Sequence, residues 1–151
     1  MIDQTRFPLK QFILVVLLVS LWVHASEVFR YFVLVMPRMK AYWEDMPGIA
    51  EMNLGIFSIW GIWDTLLTAL LVFMYWMYSK VFGDKVSSIF NSATLAWLFT
   101  FVIFWVAAAN MGYTDWSLLW ITLSLSWLEL LIANWMASRL FERFSATKAY
   151  T

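Results

Sequence analysis

Long apolar runs, separated by short polar segments, dominate the hydropathy pattern of this chain. The runs cover residues 12–36, 54–78, 89–110 and 116–138. At a rise of about 1.5 Å per residue, a helix over any of them spans the roughly 30 Å hydrocarbon core of a bilayer. They also lack the alternation of apolar and polar residues that is typical of membrane barrel strands. The pattern predicts an all-α polytopic membrane protein, a four-transmembrane-helix bundle that forms a single membrane domain over residues 1–151.

The two ends of the first run decide how it is interpreted. Arg6 and Lys10 precede it, and the sequence around His24 resembles a signal-peptidase site. The apolar run continues beyond that point to Met36, so an uncleaved first helix is the better prediction. Pro37 follows, and because proline disrupts a helix interior, we predict that the first helix ends there and that residues 37–53 connect it to the second.

The distribution of lysine and arginine outside the runs predicts the orientation. With four spans, one side of the membrane holds Arg6, Lys10, Lys80, Lys85, Arg139, Arg143 and Lys148, and the other holds only Arg38 and Lys40. Cytoplasmic loops carry an excess of these residues. The expectation is therefore an N-in/C-in protein, with a bacterial inner membrane as the favoured location.

Composition supports the membrane class and narrows the chemistry. The chain is 63% hydrophobic and 13% charged, whereas a soluble domain is about half apolar and a quarter charged. It has no cysteine, which excludes thiol and disulfide chemistry. No basic stripe or finger pattern indicates nucleic acid, and no catalytic or nucleotide-binding motif occurs. We therefore predict no catalytic residues and no cofactor.

Ionisable residues interrupt three of the four runs, which is the most informative feature for function. In the first run, Ser20, His24, Glu27 and Tyr31 share one helical face, and Arg30 borders it. A Glu27–Arg30 ion pair is expected from the i, i+3 spacing. The opposite, lipid-facing set is Leu14, Leu18, Leu21, Ala25, Val28, Phe32 and Val35.

Asp64 and Glu129 occupy the corresponding positions in the second and fourth runs. Charges at bilayer depth are costly, and such residues usually mark functional sites. Three acids and one arginine leave two acids uncompensated, so at least one of Asp64 and Glu129 is expected to be protonated at neutral pH. The third run has no charged residue and is interpreted as scaffold.

The leading hypothesis is proton or small-cation transport through a site formed by His24, Glu27, Arg30, Asp64 and Glu129. In this hypothesis Asp64 and Glu129 are the carriers, His24 is a switchable partner and Glu27–Arg30 is a fixed pair. Polar and aromatic residues are expected to line the site: Ser20, Tyr31, Trp60, Trp63, Thr68, Thr122, Ser126 and Trp127.

Two alternatives remain open. A binding or isomerase-type protein would hold an apolar ligand, such as a sterol, quinone or lipid, in a tryptophan-lined pocket. Several tryptophans lie away from the predicted membrane interfaces; a buried indole usually seeks an acceptor for its N–H, and others can line such a pocket. A structural subunit would use its aromatic faces to contact a larger membrane complex. A metal site is disfavoured, because His24 is the single histidine and Arg30 lies close to it. Expected partners are the lipid bilayer and either further copies of the chain or another membrane subunit.

Overall fold

The computed structural model describes residues 7–44 and 52–148, and in that part of the chain the secondary structure is helical. Helix α1 comprises Leu9–Trp43, α2 Leu54–Phe82, α3 Val86–Asn110 and α4 Leu118–Lys148. All four are long and apolar enough to cross a membrane. The prediction of an all-helical chain with four such helices is confirmed, and these four candidate spans indicate a multi-pass membrane protein.

The helices form a bundle in which sequence neighbours pack side by side. Helix α1 also packs against α4, which closes the ring, and α2 contacts α4 across the centre. The connection between α2 and α3 is short because Gly83, at φ +84°, adopts a backbone conformation that side chains disfavour. We call this end of the bundle the 83–85 end, and the end with the connection between α3 and α4 the 111–117 end.

Close packing is concentrated toward the 83–85 end. The buried apolar positions there are mostly small or aliphatic and recur every three or four residues, as expected for inward helix faces. They include Val15, Val19, Val23, Leu71, Val72, Ala93, Ala96, Leu130, Ala133 and Ala137. By contrast, the first buried residue of α2 is Thr68, so the first half of this helix contributes little to the core. Asp64 lies one turn before Thr68, where the packed part of α2 begins.

The prediction that Pro37 ends the first helix is wrong. Residues Arg30–Val35 form a π-helical segment, and the α-helix resumes over Met36–Trp43 with the proline in its first turn. The Met36 N–H donates to the Tyr31 carbonyl, five residues back. This wider turn precedes a new first helical turn, where a proline needs no N–H donor. The Arg38 side chain donates to the Leu34 carbonyl at 2.6 Å, which adds a further bond near the proline.

The π-helical segment also changes which residues of α1 face inward. The predicted lipid-facing residues from Leu14 to Phe32 are exposed, but Val35 is buried against Met39 and Leu118. An extra residue in one turn rotates everything after it relative to a regular helix. Val35 therefore belongs to the core, and its assignment to the lipid face is corrected.

Some sequence expectations fall on other parts of the chain. Arg6 and most of the connection between α1 and α2, from residue 45 to residue 51, lie outside the described residues.

Candidate functional site

A buried ion pair joins Glu27 and Arg30 on α1, as the spacing predicts. Arg30 is 4% exposed, and its guanidinium also donates to the Thr122 carbonyl of α4 at 3.2 Å. On its other side the guanidinium carbon lies 5.0 Å from the ring centroid of Phe101 on α3. A guanidinium suits such a position because its planar fork binds acceptors at its edge and aromatic rings at its face. Arg30 thus connects α1, α3 and α4.

Glu129 occupies the middle of α4 and is 2% exposed. Its Oε2 accepts a hydrogen bond of 2.7 Å from the Ser26 hydroxyl of α1. Its Oε1 is buried and has no hydrogen-bond partner among the described residues. The Trp22 indole donates to the Glu129 backbone carbonyl at 3.2 Å and holds the two helices together at this level. Glu129 is therefore firmly positioned and retains one carboxyl oxygen that is free to bind a proton or a further donor.

Asp64 on α2 completes a cluster of charged groups from three helices. It is only partly buried, and its charge interacts with those of Glu27 and Arg30. Glu129 interacts electrostatically with the same two groups and with Asp64. Three carboxyl groups thus lie within electrostatic range of a single guanidinium, which pairs with Glu27, and full ionisation would leave two uncompensated negative charges in apolar surroundings. An arrangement of this kind favours binding of additional positive charge.

His24 lies beside the cluster, between α1 and α2. Its Nδ1 is 2.8 Å from the Ser20 carbonyl, and its Nε2 is 3.0 Å from the Gly61 carbonyl. Both partners are acceptors, and a neutral imidazole has a single N–H. The two contacts are therefore both hydrogen bonds only when the ring carries two protons and a positive charge. Gly61 brings the backbone of α2 close to the ring, as a small residue at a helix contact does.

The hydroxyl residues predicted to line the site are buried, but most bond to their own helix. The Thr68 hydroxyl donates to the Asp64 carbonyl at 2.7 Å, and the Thr122 hydroxyl donates to the Leu118 carbonyl at 3.0 Å. The Ser126 hydroxyl accepts from the indole of Trp97 at 3.1 Å. The hydroxyl of Ser20, also buried, has no partner among the described residues.

The aromatic residues of the predicted lining divide into two groups. Trp127 is half-buried and donates to the Thr94 hydroxyl of α3 at 3.1 Å. Trp60 and Trp63 are 40% and 58% exposed on α2, and Tyr31 packs with its ring centroid 6.3 Å from that of Trp60. Trp120 on α4 is 79% exposed. These exposed indoles lie on the outside of the bundle and do not line an internal pocket.

An open cleft of about 430 Å³ lies near the 111–117 end of the bundle. It is lined by Arg38, Met39, Ala41, Tyr42, Asp115, Ser117 and Leu118. None of the residues predicted to line a ligand site belongs to it. The cleft and the charged cluster are therefore separate features.

Sequence reasoning missed three contributors to the site. Ser26 and Trp22 were not predicted to contact Glu129, and Phe101 was part of a helix interpreted as scaffold. Phe101 lies in a second π-helical segment, Leu98–Val102, and faces Arg30, which begins the first one. Such segments are frequent at functional sites. A usable signal for Ser26 was its position four residues before Arg30, which places both on one face of α1.

In the described residues, no group of three or more histidine, cysteine or acidic side chains has the geometry to hold a metal ion. The fold and the site define an all-helical chain with four candidate membrane spans and a charged cluster where α1, α2 and α4 meet. A scan of protein-family models, a search of curated proteins and a search of solved structures each found no match.

Proposed function

We propose that this protein moves protons across a membrane, with Glu129 as the central carrier. The observation that supports this most is the state of the Glu129 carboxyl group, which is buried, held by Ser26 and left with one oxygen that no described residue bonds. Buried acids inside membrane bundles are the usual parts of proton relays. A proton needs a single oxygen, whereas a metal cation needs several ligands in a defined geometry. This difference favours a proton over a small cation.

The other charged groups have distinct parts in this proposal. Asp64 is more exposed than Glu129 and exchanges protons with the outside of the cluster. The Glu27–Arg30 pair supplies a fixed field, because Arg30 is immobilised by Thr122 and Phe101. His24 joins the cluster to α2, because its ring contacts the Ser20 carbonyl of α1 and the Gly61 carbonyl of α2.

The proposal includes a location and an assembly. The 83–85 end would face the cytoplasm of a bacterial inner membrane, because most lysine and arginine residues lie there. We also propose a homo-oligomer, since a bundle of four helices is small for a transporter. The apolar-ligand alternative has less support, because Trp60 and Trp63 are exposed and no predicted lining residue reaches the open cleft.

The test is proton flux into liposomes that contain the purified protein and a trapped pH-sensitive dye. Glu129→Gln and Asp64→Asn should each abolish the flux that the wild type adds to protein-free liposomes. Glu142→Gln is the matched control, because Glu142 is an exposed acid on the same helix as Glu129. Wild-type flux in the Glu129→Gln variant would refute the proposal.

A further inference from the structure

A line of buried polar residues continues from Glu129 along α4 toward the 83–85 end. Asn134 and Ser138 follow on the inward face and are 0% and 4% exposed. The Asn134 amide donates to the Ser92 hydroxyl of α3 at 2.9 Å, while its Oδ1 has no partner within residues 7–44 and 52–148. An apolar residue would fill this position without leaving a buried polar atom unpaired, so packing alone does not explain the asparagine.

Ser20 of α1 lies at the same level as Asn134. Ser26 bonds Glu129, and Gln11 bonds the Phe144 carbonyl, so both helices advance by the same number of residues between these two contacts. In this antiparallel register, Ser20 and Asn134 lie at about the same level along the bundle. The hydroxyl of Ser20 is also buried and unpartnered within the described part of the chain. Two unpaired polar atoms of neighbouring helices, at one level in an apolar core, are a typical site for buried water.

The line ends at Asp84, in the connection between α2 and α3. Asp84 is exposed, yet its Oδ1 accepts from the Tyr75 hydroxyl and, at 3.3 Å, from the Ser138 hydroxyl. Tyr75 is 1% exposed, and this bond connects its hydroxyl to the surface. Asp84 therefore links bulk water directly to two buried hydroxyl groups.

Asn134 and Ser138 are about 6 Å apart along α4 and lie on one face, so one or two water molecules can bridge them. Glu129 is about 7.5 Å further along the axis and is turned by about 140° from Asn134, toward α1 rather than α3. A longer chain of water molecules that passes Ser20 is therefore needed to join Glu129 to Asn134. We propose that Asp84, Tyr75 and Ser138 form the mouth of a proton route at the 83–85 end, and that Ser20 and Asn134 connect this mouth to Glu129. This inference rests on the proposed function, since it supplies one half of the route.

In this route a proton leaves the free oxygen of Glu129 for water held by Ser20 and Asn134. It continues through the Ser138 hydroxyl, which passes one proton on as it accepts another, to the Asp84 carboxylate and then to bulk water. Loss of that proton to the solvent regenerates the Asp84 carboxylate.

The test compares flux in liposomes for Asn134→Leu and Asp84→Asn with the wild type. Each should lower the flux by about tenfold or more, because loss of one hydrogen-bonding partner raises the barrier of a proton step by roughly one hydrogen bond. Asn91→Leu and Asp115→Asn are the matched controls. Asn91 is exposed on α3, and Asp115 is exposed at the 111–117 end, so both controls should retain wild-type flux.

The outcomes separate this inference from the proposed function. Flux that Glu129→Gln abolishes but Asn134→Leu leaves intact overturns the inference and leaves the proposed function standing. Wild-type flux equal to that of protein-free liposomes overturns both. If Asn134→Leu does not fold, a thiol reagent decides, since the chain has no cysteine of its own. A water-soluble thiosulfonate should label Ser138→Cys at the mouth and not the buried neighbour Ala137→Cys, and an inert Ser138→Cys would overturn the inference.

Discussion

Breaking the buried Glu27–Arg30 pair should destabilise the protein far more than breaking an exposed pair of the same kind. The side chains of Arg30 and Glu27 are 5% and 15% exposed, so water can solvate neither charge when its partner is removed. Removal of one partner from a buried pair typically costs about 3–5 kcal/mol. Arg30 keeps its contacts with Thr122 and Phe101, and Asp64 or Glu129 can supply a negative charge. We therefore expect Glu27→Gln to cost about 3 kcal/mol, the low end of that range.

The double variant tests the reasoning more sharply than either single one. Arg30→Met leaves a carboxyl that can take up a proton, so its cost should be smaller, about 2 kcal/mol. Replacement of both partners removes both buried charges, and such replacements are often close to neutral. The double variant Glu27→Gln/Arg30→Met should thus be more stable than either single variant, with a coupling energy above about 3 kcal/mol.

The assay is unfolding of the purified protein in mixed detergent micelles, with the intrinsic tryptophan fluorescence as the signal. The control is Arg139–Glu142, which has the same residue types three positions apart but is exposed. Breaking this control pair should change the free energy of unfolding by less than about 0.5 kcal/mol. If Glu27→Gln costs no more than Glu142→Gln, or if the double variant is as unstable as the two single variants combined, the argument from burial is refuted.

Three further predictions use the same unfolding assay. Trp97→Phe should lower the free energy of unfolding by about 1 kcal/mol, because it removes a hydrogen bond to a carbonyl of α4. Trp120→Phe, at an exposed position, should change this free energy little, and equal effects of the two substitutions would contradict the assignment. Gly83→Ala should cost about 2 kcal/mol because φ +84° and ψ 165° are accessible almost only to glycine, whereas Gly61→Ala, in a regular helix, should cost much less. The serine two residues after Asp115 donates hydrogen bonds to its carboxylate, the stronger from the side chain and the other from the backbone N–H. These bonds hold the pKa of Asp115 below its usual value. The resulting stabilisation is present above the ordinary aspartate pKa and is lost as the pH falls through the lowered pKa of Asp115. Asp115→Asn should therefore remove this part of the acid dependence of stability, and identical pH profiles of the variant and the wild type would contradict the prediction.

The sequence alone predicts the number of helices and the residues that cannot face lipid. Length and unbroken apolarity define the four candidate spans, because a helix rises by a fixed amount per residue. The Glu27–Arg30 pair was equally predictable, since residues three positions apart on a helix are neighbours whatever surrounds them. These properties depend on short stretches of chain and need no knowledge of the other helices.

The contacts between helices were decided by the tertiary structure. Whether Ser26 meets Glu129, and whether Trp63 points inward or outward, depends on how each helix is rotated about its axis. Periodicity restricts that rotation only weakly in a helix that is apolar on nearly all sides. The π-helical segment of α1 adds a local change of register, which carries the helix past Pro37 and turns Val35 into the core. No local sequence pattern predicts this change of register. It accompanies the packing of α1 against α3 and α4 and does not follow from the helix propensities of the residues themselves.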